Sequence, residues 1–146
     1  MLRIALEFDN VVVQPPALFD DVTTPLAFIV GAQRGLFALK RAGHLLLLCS
    51  DRANRANREN AQLDPLVRNG KVRIDPNVWA ENRPIYQARY EQMLAFCQKY
   101  LSKTLDAIDD GQQGKPAVDL WIDTKSIGLV PGVGWSRILH LYGANT

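Results

Sequence analysis

Cysteine is scarce in this chain. Cys49 and Cys97 are its two, far apart and matching neither a metal-ligand nor a redox spacing. Two buried thiols in a reducing compartment is the simplest reading. Histidine is as sparse: His44 and His140 lack the close spacing of a paired metal ligand. Long apolar runs are missing as well. No stretch approaches the about 20 apolar residues needed to span a bilayer. The segment "MLRIALEFDN" has no long apolar run ahead of its acids, so it does not read as a signal peptide. Nor is there an excess of charge. With 17 Lys+Arg against 15 Asp+Glu, the formal net charge is +2. That gives no electrostatic reason to expect nucleic acid or an acidic membrane as a partner. A cytoplasmic location follows as the default, and the oligomeric state leaves no mark.

What is present is an ordinary globular composition. Of the 146 residues, 47% are hydrophobic and 22% charged, enough for one domain over 1–146 with a real core. Leu2 to Leu6 is a short apolar run ending in polar residues, as a buried parallel strand does. "VVVQPPALFDDVTTP" reads as a long loop. Thr24 before Pro25 supplies a capping hydroxyl and a first-turn proline, so a helix is expected from there to Ala42, stopped by Gly43. "HLLLLCS", His44 to Ser50, is the clearest buried strand. "DRANRANRENAQL" reads as a polar helix, and "KVRIDP", Lys71 to Pro76, as a third strand.

Tyr86, Tyr90, Met93, Leu94, Cys97, Tyr100 and Leu101 recur at helical spacing, so a long core-packing helix is expected over Pro84 to Leu105. "DDGQQGKP" is a loop, "AVDLWID" (Ala117 to Asp123) a strand, and "TKSIGLVPGVG" a turn-rich loop. Trp135, Ile138, Leu139 and Tyr142 suit a last short helix, with a strand as the alternative. This alternation predicts an α/β fold: a three-layer α/β/α sandwich with a mostly parallel, Rossmann-like sheet.

In such a sheet, ligands gather outside the carboxyl ends of the strands. Three expected strands end on residues capable of chemistry: "EFDN", "CSDR" and "WIDT". Lys115 lies just upstream of the last. Here the residues resemble the haloacid dehalogenase-like (HAD-like) superfamily, mainly phosphatases and other phosphoryl-transfer enzymes. Its first motif, D-x-D-G-T after a strand, is similar to Glu7-Phe8-Asp9-Asn10-Val11. Its strand-ending Ser or Thr is matched by Ser50, and its Lys by Lys115 in "GKP". Its acidic strand end is matched by Asp119, Ile122 and Asp123 in "DLWIDTKSIG". The likeness is to small, minimally capped bacterial members.

The resemblance implies a mechanism. Glu7 stands at the nucleophile position, where a carboxylate attacks phosphorus. Asp9 stands at the acid/base position. Ser50 and Lys115 would bind phosphate. Mg²⁺ would be held by Glu7, Asp9 and Asp123, with Asp9 giving its backbone carbonyl. The implied partner is a small phosphorylated molecule.

The pattern also departs from the family. Glu7 is one methylene longer than aspartate, which moves its oxygen by roughly 1 Å, and a shift of about 1 Å can cost on the order of 100-fold in rate. Asn10 replaces a glycine, and Asn is the next most tolerant residue of an unusual backbone turn. Val11 supplies no hydroxyl, and Thr124 stands where a second acid usually does. Weak or lost activity is therefore expected, with a catalytically inactive binding or scaffold protein as the alternative.

Other readings stay open. Asp9 is the nucleophile if the strand ends two residues later. Glu7 and Asp9 are solvated strand-end acids, and Ser50 a plain hydroxyl, if no site exists. Arg52, Arg55 and Arg58 contact a phosphate or, more simply, form a solvated helix face. Asp20-Asp21 and Asp109-Asp110 read as loop acids, and the nearness of the second pair to Lys115 in sequence keeps a minor metal role open for it. A flavodoxin-like or nucleotide-binding domain would leave Glu7, Asp9, Ser50, Lys115 and Asp123 scattered.

Overall fold

The computed structural model describes residues 1–54, 58, 76–112, 116–127 and 133–143. In chain order the elements are β1 (Arg3–Leu6), β2 (Val13–Gln14), β3 (Ala27–Phe28), α1 (Ala32–Arg41), β4 (Leu45–Leu48), a 3₁₀ turn (Asp51–Ala53), α2 (Pro76–Tyr100), β5 (Ala107–Ile108), β6 (Leu120–Ile122), α3 (Thr124–Ile127) and α4 (Val133–Tyr142).

β1 has a partner on each edge. The sheet order is β5-β4-β1-β6, with every pairing parallel. Arg3 lies opposite Leu45, and Leu6 lies opposite both Leu48 and Ile122. A strand in this position loses contact with water on both faces, and Ile4, Ala5 and Leu6 are fully buried. The expected α/β fold with a parallel sheet is present among the described residues. β5 is an addition: "AI" is too short to carry a periodic signal, and Asp106 supplies what its sequence does not. The Asp106 carboxylate accepts from the Leu46 N–H at 2.8 Å and from Lys40, which pins the approach of β5 to β4.

The helix expected from Thr24 begins eight residues later, at Ala32. The groups that would have capped it are used elsewhere. Asp21 accepts from the Thr23 and Thr24 N–H groups at 3.1 and 3.0 Å and from the Thr24 hydroxyl at 2.6 Å. These bonds, the Thr24 hydroxyl first, hold the Asp21 carboxyl down at about 2. The chain then pairs Ala27–Phe28 antiparallel with Val13–Gln14, so part of the expected long loop is a two-stranded ribbon. Gly31, at φ 87, turns the chain into α1.

Other boundaries also move. α2 starts at Pro76 and carries Pro84 inside it, where a proline removes one intrahelical donor but need not end the helix. It ends at Tyr100 and not at Leu105. The expected strand at 71–76 and most of the expected polar helix after Ser50 lie outside the described residues, save that Pro76 is helical. Thr124–Ile127 is a helical turn where a loop is expected. The last segment takes the helical alternative.

α1 and α4 pack closely. A Cβ on Gly35 would sit 2.3 Å from Trp135 Cε3, so only glycine admits the indole there. Trp135 is 1% exposed and donates its Nε1–H to the Val11 carbonyl at 2.9 Å. His44 ties two distant backbones together. Its Nδ1 accepts the Leu2 N–H at 3.1 Å, which leaves Nε2 to donate to the Tyr142 carbonyl at 2.8 Å. That is the neutral imidazole.

Immediately after β1 the chain folds back on itself. The Phe8 carbonyl accepts from the Val12 and Val13 N–H groups at 2.9 and 3.1 Å, and Asn10 N–H reaches the Val13 carbonyl at 2.8 Å. Asn10 sits at φ 64, the only non-glycine with positive φ among the described residues. The left-handed region strains a Cβ-bearing residue, asparagine less than most. Asn10→Ala is expected to lower stability by about 1 kcal/mol, and Asn10→Gly to leave it equal or higher. Urea denaturation of the two variants beside the wild type checks this.

Candidate functional site at the carboxyl ends of the strands

Because β1, β4, β5 and β6 run parallel, their carboxyl ends share one edge of the sheet. The ladder continues a step past the strands: Glu7 N–H bonds the Ile122 carbonyl at 3.0 Å, Cys49 N–H that of Leu6 at 2.8 Å, and Asp109 N–H that of Leu48 at 2.8 Å. The residues just after each strand are thereby held side by side. They line an open pocket of about 400 Å³. It is lined by Glu7, Asp9, Asp51 and Asp109, by Ser50 and Thr124, and by Cys49.

Of the residues expected at the site, Glu7, Asp9 and Ser50 meet in this pocket. Asp123 stands next to it. Its charge is felt at Glu7, and its Oδ1 accepts the Lys125 N–H at 3.0 Å at the start of α3. Lys115 lies outside the described residues, while the following residue, Pro116, lines the pocket. Asp119 is at the opposite end of the sheet, where it accepts the Arg3 N–H at 2.7 Å and belongs to the entry of β6.

Asp9 is the most tightly held of these acids. Arg52 Nε donates to one of its oxygens at 2.8 Å and Nη2 to the other at 2.7 Å, a paired guanidinium–carboxylate contact. The Arg52 side chain is 1% exposed and that of Asp9 24%. Nη1 of Arg52 bonds the Arg89 carbonyl and Gln92 Oε1, both at 3.0 Å, so the buried cation is satisfied from α2 as well. Its guanidinium also lies 5.3 Å from the centre of the Phe8 ring. Arg89 adds a second cation 3.8 Å from Asp9. Burial, and then the Arg52 charge, pull the Arg89 guanidinium below its usual value.

This corrects the solvated-face expectation for Arg52. Its neighbour in the pattern, Arg58, stacks on Tyr90 at 3.9 Å and donates to the Asp110 carbonyl at 3.0 Å. Arg55 lies outside the described residues.

Glu7 is the contrasting acid. Burial pushes its carboxyl above the ordinary 4.5, opposed by the N–H of Thr124, and the charges of Asp123, Asp51 and Asp9 push it further. Ser50 is not a free hydroxyl. Its Oγ accepts the Arg52 N–H at 3.1 Å and caps the 3₁₀ turn. The Cys49 thiol is pushed up to about 11 by burial and then by Asp109, which disfavours the reactive thiolate at neutral pH. Cys97 is buried, as expected, and pushed up to about 12 by that burial. Cys49 is only partly buried.

Among the described residues, no three or more His, Cys, Asp or Glu side chains are grouped so as to hold a metal ion. Among those residues, too, no helix is long and apolar enough to cross a membrane. Sequence reasoning missed Asp51 as a site residue, and it offered Arg52 only as a phosphate contact or solvated face and Asp109 only as a loop acid with a minor metal role. The available signal was the acid count: strand ends carrying Glu7, Asp9, Asp51 and Asp123 need a local cation, and Arg52 is the nearest in sequence to Ser50.

No family model matches the chain, and neither a curated protein nor a solved structure matches it significantly.

Two outcomes follow from the charges. The raised Glu7 carboxyl means that the folded chain holds a proton there more readily than the unfolded chain. Ionised Glu7 therefore opposes folding at neutral pH, and the penalty disappears as pH falls through its folded value. Glu7→Gln is expected to melt above the wild type at pH 7, with the gap closing toward pH 4, as read by thermal melts across that range. Arg52→Ala leaves Asp9 without its paired partner and is expected to cost about 3–5 kcal/mol in chemical denaturation.

Proposed function

We propose that this chain is a HAD-like, Mg²⁺-dependent phosphohydrolase-type domain with impaired turnover of a phosphomonoester. In this reading residues 1–146 form one cytoplasmic three-layer α/β/α unit with little or no cap. The observation that carries it is the pocket at the carboxyl ends of adjacent parallel strands, where Glu7, Asp9 and Ser50 come together.

In this reading Glu7 holds the nucleophile position, and Ser50 and Lys115 hold phosphoryl oxygens. Asp9 stands at the acid/base position. The chemistry of the acidic edge fits a hard cation, because neighbouring negative charges already disfavour ionised Glu7. Glu7 and Asp123 are the side chains that would hold Mg²⁺. Asp9 would offer its backbone carbonyl, since Arg52 occupies its carboxylate. Bound Mg²⁺ would offset the charge of phosphate. The described lining includes four acidic residues and no Lys or Arg.

A second reading, a catalytically inactive binding or scaffold protein of the same fold, draws on the Arg52–Asp9 pair, which removes the free acid/base group that turnover requires. Phosphate release from p-nitrophenyl phosphate with Mg²⁺ separates the two. The first reading expects wild-type turnover to be slight but above that of Asp9→Asn. It also expects Glu7→Asp to raise the rate by about 10- to 100-fold, the scale set by a misplacement of about 1 Å. Wild type, Asp9→Asn and Glu7→Asp all at background would leave only the second reading.

A further inference from the structure

Arg52 answers to no expectation drawn from the family pattern, yet it is the best-connected side chain at the site. Its guanidinium bonds both Asp9 oxygens, the Arg89 carbonyl and Gln92 Oε1, and its backbone N–H takes the Ser50 hydroxyl. Few arginines lie so deep, and guanidinium does not give up its charge to ease the burial. The oxygens around it are therefore a requirement of the fold, and Asp9 is the only carboxylate bonded to it among the described residues.

We propose that Arg52 is a positioning residue that fixes the Asp9 carboxylate against α2 and withholds it from proton transfer and ligand binding at the strand end. The proposal rests on the HAD-like reading for the role that Asp9 would otherwise play. An acid/base group must turn an oxygen toward the leaving group or the attacking water. Here each oxygen already accepts an N–H from one planar fork, and Arg89 approaches the same carboxylate from α2 at 3.8 Å. A swing of Asp9 toward the pocket would strand a buried cation. Among the described residues no cation is bonded to Glu7: its described hydrogen bond is to the Thr124 N–H. The two acids of the altered motif are therefore divided in role, with Glu7 facing ligand and Asp9 facing the protein. Gln92 extends the hold, since its Nε2 donates to the Thr24 carbonyl at 3.1 Å while its Oε1 accepts from Arg52.

Carbodiimide-driven amidation with glycine ethyl ester, mapped by peptide mass spectrometry, reads this directly. Asp51, exposed on the rim of the same pocket, is the internal reference. The expected result is that Asp9 in the wild type is modified at least about 10-fold more slowly than Asp51, the scale of one charge-assisted hydrogen bond. Arg52→Gln should bring Asp9 close to the Asp51 rate, and Arg52→Lys, which keeps the charge but not the fork, should fall between.

Equal rates for Asp9 and Asp51 in the wild type overturn the proposal. So does an unchanged Asp9 rate in Arg52→Gln that circular dichroism shows to be folded. If that variant does not fold, the wild type and Arg52→Lys decide. Phosphate release is scored separately: wild type, Asp9→Asn and Glu7→Asp all at background sink the hydrolase reading, while the labelling still decides what Arg52 does. With turnover in Glu7→Asp, adding Arg52→Gln should raise it further, and that gain should vanish with Asp9→Asn.

Discussion

Arg52 is a permanent cation whose side chain is 1% exposed, and a charge taken that far from water must be surrounded by oxygens that cannot leave. Much of the carboxyl edge of the sheet is arranged as that requirement dictates. Asp9 comes from the turn after β1 and the Arg89 carbonyl and Gln92 amide from α2, while Ser50 at the end of β4 accepts the Arg52 backbone N–H. Three segments far apart in sequence are thereby fixed around one group. The loop ahead of β3 joins them through Gln92 to Thr24 and through Arg89, which donates to the Phe19 carbonyl and stacks on its ring.

The same arrangement sorts the acids. Asp9 has a fixed cationic partner, whereas among the described residues the charges acting on Glu7 are negative. Burial and negative neighbours raise Glu7, while the Asp9 oxygens are spoken for by the guanidinium. An edge built in this way favours positive charge at Glu7 over a bare anion. A phosphorylated ligand would come to it with a cation, or where a lysine supplies one.

Elements whose signal is local were legible in the sequence. "RIAL" and "LLLL" are apolar on both faces and form the two central strands, and the Trp135–Tyr142 pattern lies on the last helix. Asn10 at a left-handed position was legible too, because few residues tolerate that backbone. What was not legible depends on partners distant in sequence. β5 is two residues long and is set by Asp106, just ahead of it, bonding Leu46 of β4. Thr24 looks like a helix cap until Asp21 claims it. Arginines three apart describe an exposed helix face unless a carboxylate 43 positions away draws one of them inward. The meeting of Glu7, Asp9 and Ser50 follows from parallel strands, which sequence order predicts. The Arg52 fork does not follow from any period.

The bond from Trp135 to the Val11 carbonyl spans 124 positions, and that from His44 to Tyr142 spans 98. β1 itself waits for β6 before its second edge is covered. The turn that carries Asp9 and Asn10 is thus made well before the residues that complete it. Until α4 has emerged, the Val11 carbonyl lacks its indole partner and the apolar side of the β1 turn lacks its cover. Contacts of such long range make folding slow and leave that surface open for longer. Synthesis from the amino end therefore places the acid-bearing turn under the control of residues translated more than a hundred positions later.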